Sequence, residues 1–277
     1  MESGKIDSNV KKLHQRYRYS LILLKQLVKT DFKLRYQGSV LGYVWSLLRP
    51  LFIFTILYYV FVRFLKISDQ IPHPAVYLLL GIVLWNYFVE VTVGSVAAIV
   101  GKGDLLRKIN FPKYVIILAG SFSALINLAF NFAVIALFMV LTHVSVNMDA
   151  FLIIPLIVEL FIVSIGAAFF LSALFVKLRD VTYIWDILIQ AGFYVTPILY
   201  LLSRLPHRYA KYIMLNPLAQ IIQDSRHALV TKQSTTIYQV YGGDKWIWLI
   251  PISITIGVAA LGATYFRSQS KRFAEEV

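Results

Sequence analysis

Six long apolar stretches are the feature that most constrains this chain of 277 residues. They run over about residues 50–66, 75–100, 114–141, 151–176, 181–200 and 246–266. A hydrocarbon core of about 30 Å is crossed by roughly 20 apolar helical residues, and each stretch comes near that length. An apolar fraction of 58 % leaves too little polar surface for a soluble fold. The stretches therefore predict an all-α, polytopic integral membrane protein with six transmembrane helices.

The composition excludes several kinds of function. With no cysteine, the chain has no disulfide, thiolate metal site or thiol nucleophile. It has no HExxH, GxSxG or phosphate-binding GxxxxGK(S/T) motif, so we assign no catalytic residue, metal site or cofactor to it. A net charge of +13 flanking apolar segments favours the anionic inner leaflet or an acidic protein, rather than nucleic acid, as the partner.

The distribution of Lys and Arg predicts that both termini are cytoplasmic. In this orientation the cytoplasmic segments hold 19 of these residues and the outer segments hold 8. The short loops differ most clearly, since 142–150 has none and 101–113 has four, and basic loops favour the cytoplasmic side. The first 20 residues are polar and basic without a cleavage site, so we expect them to be retained.

An amphipathic helix is predicted just before the first span. Its apolar residues recur at helical spacing, at Leu21, Leu24, Val28 and Phe32, and lysines recur on the neighbouring face, at Lys25, Lys29 and Lys33. Such a helix lies in the membrane interface, where each lysine near an anionic surface contributes about 1 kcal/mol. An ordinary helix packed on a soluble partner is the alternative.

The first span is irregular because Arg49 and Pro50 interrupt it. A proline removes a helical donor, so a bend or a fresh helix start is expected there. An arginine at mid-membrane costs about 2.5 to 3.5 kcal/mol or more, which favours a position near the cytoplasmic headgroups. The functional alternative is that Arg49 meets an anionic substrate group at the inner mouth.

Aromatic side chains form a stripe on the same span. Trp45, Phe52 and Tyr59 are spaced by seven residues and share one helix side, with Tyr58 beside them. Core packing or an interfacial belt would explain such a stripe. If it lines a passage instead, its ring faces offer sugar rings a sliding surface, and three aromatic residues in or after span five are expected to face it: Phe193, Tyr194 and Tyr200.

Polar residues within the spans must face protein or water. Asn86 with Glu90, and Asn127 with Asn131, are each four residues apart, so each pair shares a helix side and is expected to hydrogen-bond across a helix seam. A structural role is favoured, with a proton or ion relay as the alternative. Further polar residues occur in spans four and five, at Glu159, Asp186 and Gln190.

Two segments between spans are distinctive. The loop 101–113 begins with two glycines and has Pro112 near its end, which predicts a short cytoplasmic helix over about 104–109. After Thr196 and Pro197, which should kink span five, Asn216 and Pro217 predict a helix over about 217–230. Around this point apolar and charged residues alternate and suggest two short amphipathic helices that dip into the outer leaflet: Ile213, Met214 and Leu218, with Arg208, Lys211, Asp224 and Arg226.

Five segments resemble a known family in their order and spacing. They are RYQGSVLGYVWSLLRPL at 35–51, NFPK at 110–113, LRD at 178–180, TPILY at 196–200 and NPL at 216–218. The chain is similar, over about residues 13–275, to the permease subunits of ABC-2 type exporters of polysaccharides. Members of that family move O-antigen, capsule or teichoic-acid polymers on lipid carriers across the bacterial cytoplasmic membrane.

The resemblance implies a homodimer in which each subunit docks on a separate ATPase that binds ATP and Mg. It implies a cytoplasmic amino-terminal segment with an interfacial helix (1–37), a transmembrane domain (38–267) with a coupling helix (101–112) and outer re-entrant helices (201–245), and a cytoplasmic tail (268–277). The residues expected to contact the ATPase are Lys102, Asp104, Leu105, Arg107 and Lys108, with Arg179 and Asp180. Spans one and five would line the polymer channel, together with Arg49.

Two other classes of function stay open on the sequence. One is an ion-coupled secondary transporter that uses Glu90 or Asp186 as a relay. The other is an intramembrane enzyme acting on lipid phosphates with Arg49 and a histidine. Neither needs an ATPase, so copurification of a nucleotide-binding subunit would separate them from an exporter.

Overall fold

A computed structural model describes residues 19–31, 33, 44–64, 72–108 and 111–273. Within these ranges every regular element is a helix. The first half contains α1 over 19–31, α2 (Val44–Leu57) continued by a π-helix (Tyr58–Phe64), α3 (Pro74–Val96), α4 (Ala98–Gly101), α5 (Gly103–Lys108) and α6 (Tyr114–Leu141). The second half contains α7 (Ile153–Lys177), α8 (Val181–Val195), α9 (His207–Met214), α10 (Pro217–Leu229), α11 (Ile237–Val240) and α12 (Leu249–Gln269).

Four helices in the described residues are long and apolar enough to cross a membrane. They are α3, α6, α7 with the short turn before it, and α12 with the short turn before it. The expected fold of apolar helices is therefore confirmed, and the protein is a multi-pass membrane protein. The predicted first span corresponds to α2, which is described from Val44 and is continued by the π-helix, and the predicted fifth span corresponds to α8, which has 15 residues.

Helix α3 lies at the centre of the bundle. It packs against α6, α7, α8, α10 and α2, and most of its apolar residues are buried. On one side of it, α7 and α12 approach at backbone distance. A Cβ atom on Gly262 would lie 2.0 Å from the Gly166 carbonyl oxygen, and one on Gly166 would lie 2.6 Å from the Ala259 Cα. Small residues permit such contact between membrane helices, so these glycines fix the α7–α12 seam.

A polar pair joins α3 to α6, as the sequence predicts. The Asn127 Nδ2 donates to the Glu90 Oε2 at 2.7 Å, and the Asn131 Nδ2 donates to the Asn127 carbonyl at 2.9 Å. In an apolar bundle each of these groups needs a partner because water is absent. The prediction of hydrogen bonding across this seam is confirmed for Asn127 and Glu90, whereas Asn131 bonds within α6.

One end of the bundle is basic. Lys102 binds Asp31 of α1, a small buried cluster joins Val96 of α3 to Leu171 and Val181, and Lys113 donates to the Ser270 carbonyl. These contacts bring α1, residues 97–108 and 111–113, the turn 178–180 and the end of α12 together. We call this the basic end.

The opposite end is built around α10, and we call it the α10 end. Tyr77 near the start of α3 donates to Gln223 of α10 at 3.3 Å. Asp149, just before α7, is bonded to Lys232, just after α10. The segments 142–152 and 196–248 therefore lie at the α10 end.

The structure corrects two expectations about proline. Helix α2 is uninterrupted from Val44 to Leu57, so no new helix starts at Pro50, and a change of helix type comes later, in the π-helix. Transmembrane helices tolerate proline where neighbouring groups satisfy the freed backbone. At Thr196 the chain ends α8 rather than kinking it, because Thr196 is extended (ψ 134°) before Pro197.

Helix α1 packs on the bundle through Leu23, Leu24 and Leu27. Leu21 and Ile22 are exposed, so the apolar side is divided between the bundle and the surface. Phe32 of the predicted stripe lies outside the described residues.

Candidate functional site

The aromatic stripe of α2 lies on the surface of the chain. Trp45, Phe52 and Tyr59 are 46 %, 58 % and 56 % exposed. Tyr58 is half-buried, with its ring 5.7 Å from that of Phe54. Exposed apolar rows of this size mark a contact with lipid, ligand or another chain, so the stripe is not core packing. The side chain of Arg49 lies outside the described part of α2.

A second aromatic group lies at the carboxyl end of α8. Tyr194 is exposed, whereas Phe193 is half-buried with its ring 6.1 Å from that of Trp85 in α3. Tyr200 is half-buried and donates from its hydroxyl to the Val195 carbonyl at 2.5 Å. Of the three residues expected to face the stripe, Tyr194 is therefore the most available to a ligand.

The two aromatic groups belong to helices on different flanks of α3. Helix α2 packs on α3 and α6, whereas α8 packs on α3 and α7. In the ranges that the structure covers, no ring pair joins α2 to α8. One chain therefore presents both aromatic surfaces but does not close them around a passage.

The short helix predicted between the second and third spans is present as α5. Asp104, Arg107 and Lys108 are exposed, and Leu105 is half-buried against the bundle. This arrangement anchors the helix by an apolar side chain and presents charged groups outward, as a docking element requires. The helix begins at Gly103 and is described to Lys108, close to the predicted range.

Lys102 has an intramolecular partner. Its Nζ lies 3.0 and 2.9 Å from the two carboxylate oxygens of Asp31 in α1. The bridge links α1 to the segment that carries α5. Sequence reasoning assigned Lys102 to the ATPase and did not pair it, because residues 71 positions apart give no periodic signal.

Arg179 and Asp180 are exposed in the turn between α7 and α8. The Arg179 guanidinium lies 5.0 Å from the centre of the Phe175 ring, which orients it over α7. The buried cluster around Val96 and Val181 brings this turn to the same end as α4 and α5. The structure thus groups the predicted coupling residues at the basic end. The described residues contain no group of three or more side chains that could hold a metal ion.

Comparison with known families identifies the chain. The model of the ABC-2 type transporter family matches residues 22–230, from α1 through α10. The chain belongs to the ABC-2 type transporter family. It is 28 % identical to an O-antigen export system permease protein RfbA of Klebsiella pneumoniae, over 93 % of this chain and 95 % of the relative. A second protein of that name from the same organism is 29 % identical over 74 % and 78 %.

A more distant relative extends the likeness along the whole chain. The O-antigen export system permease protein RfbA of Myxococcus xanthus is 25 % identical over 97 % of this chain and 100 % of its own length. The likeness to transport permeases therefore covers all twelve helices of this ABC-2 chain, including α11 and α12, which lie beyond the family match.

Helix α10 of this ABC-2 chain carries a buried polar network that the sequence did not predict. Arg226 is 0 % exposed and Asp224 is 4 % exposed. Gln220 donates to the Asp224 carboxylate at 2.7 Å, and burial raises the pKa of Asp224 to about 6. Both charges were assigned to the polar side of an amphipathic helix. Residues two apart lie on nearly opposite sides of a helix, so that assignment could not hold for both.

Arg226 is held by main-chain groups. Its guanidinium donates to the carbonyls of Tyr77 (2.9 Å), Pro197 (2.5 Å) and Ile198 (2.8 Å). It also lies 3.7 Å from the centre of the Tyr77 ring. A Cβ on Gly81 would approach the guanidinium to 2.4 Å, so only glycine leaves this space. Among the described residues no carboxylate lies within 4.0 Å of it.

Proposed function

We propose that the chain is the permease of an ABC exporter that moves a lipid-linked O-antigen polysaccharide across the cytoplasmic membrane. The observation that carries this proposal is the exposed aromatic row Trp45, Phe52 and Tyr59, together with Tyr194. The family and the names of the relatives support a polysaccharide of the O-antigen kind, rather than capsule or teichoic acid, as the cargo.

The passage forms between two copies. Each copy exposes α2 and α8 on the flanks of α3, so apposition of two such surfaces surrounds a space with aromatic rings from both chains. Ring faces bind the apolar faces of sugars without a deep polar pocket. A polymer can therefore slide along them, which transport of a long chain requires. The homodimer is the second part of the proposal.

The positions of the two ends support six crossings per copy. Helix α8 connects the turn 178–180 at the basic end to Ile198 at the α10 end, and its 15 residues rise about 22 Å. Helix α2 and its π-helical continuation, 21 residues together, connect α1 to the start of α3. Local thinning of the bilayer accommodates spans of this length. Helices α9 and α10 then form the outer re-entrant segment within 201–245.

The basic end faces the cytoplasm, so both termini lie inside, with 1–37 and 268–277 as cytoplasmic segments. Lysines and arginines favour this side. The ATPase is a separate chain that binds ATP and Mg, and it contacts α5 and the turn at Arg179 and Asp180. ATP binding drives export by favouring one arrangement of the dimer over another.

The experiment that tests the proposal is coexpression with the cognate ATPase. We expect a stable complex of two permeases and two ATPases whose ATP hydrolysis rises when lipid-linked O-antigen is added. A charge reversal on α5, Asp104→Lys with Arg107→Glu, should abolish docking. The matched control is Asp149→Lys with Lys232→Glu at the α10 end, which reverses an existing ion pair. Intact docking in the α5 variant, or a permease that exports without the ATPase, would refute the proposal.

A further inference from the structure

Helix α8 is loosely packed along its length, and the segment just after it is fixed. Val181, the first residue of α8, is its only buried residue and packs in the small cluster with Val96 and Leu171. The residues that follow α8 are enclosed, since Thr196 is 1 % exposed and Ile198 is 0 % exposed. The packing therefore changes abruptly at Thr196, where the backbone also leaves the helix.

Arg226 fixes the segment that follows α8. Two of its three hydrogen bonds go to the carbonyls of Pro197 and Ile198, and the third goes to Tyr77 of α3. The guanidinium therefore ties the segment after α8 to both α10 and α3. Releasing it would leave a buried cation and three buried carbonyls without partners, which is strongly unfavourable. This connection is expected to persist while other parts of the protein move.

An apolar cavity lies beside the first half of α8. A space of about 530 Å³ lies between α7, α8 and α12. Ile184, Trp185 and Leu188 of α8 line it, opposite Ala167 of α7 and Val258 of α12. Several lining residues are exposed, so lipid chains can enter and leave this space. Val181 also borders this cavity, so a tilt of α8 towards α12 shifts the small cluster at the basic end into the open space.

We propose that Arg226 is a positioning residue for export: it fixes the segment 196–198 as a pivot, about which α8 tilts into the cavity between α7, α8 and α12 to widen the polymer passage. The inference rests on the proposed function, because it needs α8 to line that passage. Proline at 197 suits a pivot because it has no amide hydrogen, so no helical hydrogen bond at that residue is broken when α8 tilts.

Two covalent bridges test the pivot directly, since the chain has no cysteine of its own. Ser203 and Gln233 line one small cavity at the α10 end, so cysteines there can be joined by a short linker that fixes the segment after the pivot. Phe88 and Trp185 have ring centres 6.1 Å apart, so cysteines there can be joined to fix α8 to α3 below the pivot.

In the complex with the ATPase, the Ser203→Cys/Gln233→Cys bridge should leave export unchanged, and the Phe88→Cys/Trp185→Cys bridge should block it reversibly. Loss of export on bridging 203 to 233 would show that the anchored segment moves, which overturns the pivot. Full export with 88 bridged to 185 would show that α8 does not move against α3, which overturns the tilt. Absence of export before any bridge is formed would instead refute the proposed function.

Rescue separates positioning from a role in folding. Arg226→Gln should lower export about tenfold while the complex still assembles and hydrolyses ATP, and the 203–233 bridge should restore at least half of the loss. Failure of the bridge to restore export in an assembled complex overturns the positioning role. Should Arg226→Gln fail to assemble, Gly81→Ala takes its place, because the new Cβ displaces the guanidinium. Gly94→Ala on the same helix is the matched control, since nothing lies within 4 Å of its Cβ.

Filling the cavity is the independent test. Ala167→Phe should reduce export without reducing assembly, because the new ring occupies the space into which α8 tilts. Ala260→Phe, on the exposed side of α12 and outside the cavity lining, should have no effect. Equal export by the two variants would show that α8 does not tilt into this cavity during export.

Discussion

The α7–α12 seam and the α2 and α8 flanks show two opposite ways of using membrane helices. At the seam, Gly166 and Gly262 bring two backbones into contact and leave no space. On the flanks, α2 and α8 touch α3 on one side and expose aromatic residues on the other. The difference indicates a rigid frame of α3, α7, α10 and α12, on which two less constrained helices carry the transport surface.

The largest effect should come from widening the seam. Gly262→Leu should destabilise the protein by about 3 kcal/mol, because overpacking forces two backbones apart, and the protein should fail to accumulate in membranes. Gly257→Leu on the same helix has no atom within 4 Å of the new Cβ and should be tolerated. The yield from membranes and the melting temperature in detergent should be measured for both variants. Equal yields would mean that the seam is not rigid.

Changes in the aromatic row should reduce export rather than stability. Replacing Trp45, Phe52 and Tyr59 together by alanine should lower export about tenfold, the equivalent of 1.4 kcal/mol, with little change in melting temperature because the rings are exposed. The control replaces Leu137 and Val140, which are equally exposed on α6. The comparison fails if the control loses as much export as the aromatic variant.

The buried network of α10 should make the frame sensitive to pH. Since burial raises the pKa of Asp224 to about 6 from 3.8, the folded state takes up a proton that the unfolded state lacks between about pH 4 and 6. Stability is therefore gained as the pH falls through 6 and is lost as it rises. Asp224→Asn should reduce this dependence, because the amide that replaces the carboxyl does not titrate. Melting curves at pH 5 and 7 measure it, and an unchanged dependence would contradict the prediction.

The Glu90–Asn127 pair should have a modest, purely structural effect. Asn127→Ala should cost about 0.6 kcal/mol, the average for such pairs between membrane helices. Glu90→Gln keeps a hydrogen-bonding side chain and should export normally. Export assays distinguish this from a proton relay, which would lose function in Glu90→Gln.

The smallest effect belongs to the Lys102–Asp31 bridge at the basic end. A half-exposed ion pair contributes about 0.5 kcal/mol. Lys102→Asp should weaken the attachment of α1, and the double exchange with Asp31→Lys should restore it. Protease sensitivity of α1 in the intact protein reports the attachment. No recovery in the double exchange would mean that the pairing is not what holds α1.

Periodicity and composition were sufficient to predict the helical membrane fold, the short helix α5, the start of α10 at Pro217 and the polar sides of α3 and α6. These features depend on hydropathy or on neighbours along one helix. The burial of Arg226 was not predictable, because it depends on Gly81 and on the carbonyls of 197 and 198, which are distant in sequence. The end of α8 was predicted only as a kink, because the sequence did not show that the chain leaves the helix at Thr196 before Pro197.

The central claim is that polymer passes along the exposed aromatic surface of α2 and α8. A single cysteine at Phe52 can be labelled with a maleimide in the ATPase complex, in membranes that contain or lack the lipid-linked polymer. Labelling should be slower when polymer is present, and a single cysteine at Val140 on α6 should label at the same rate in both membranes. Equal labelling at Phe52 with and without polymer, in a complex that exports it, would contradict the claim.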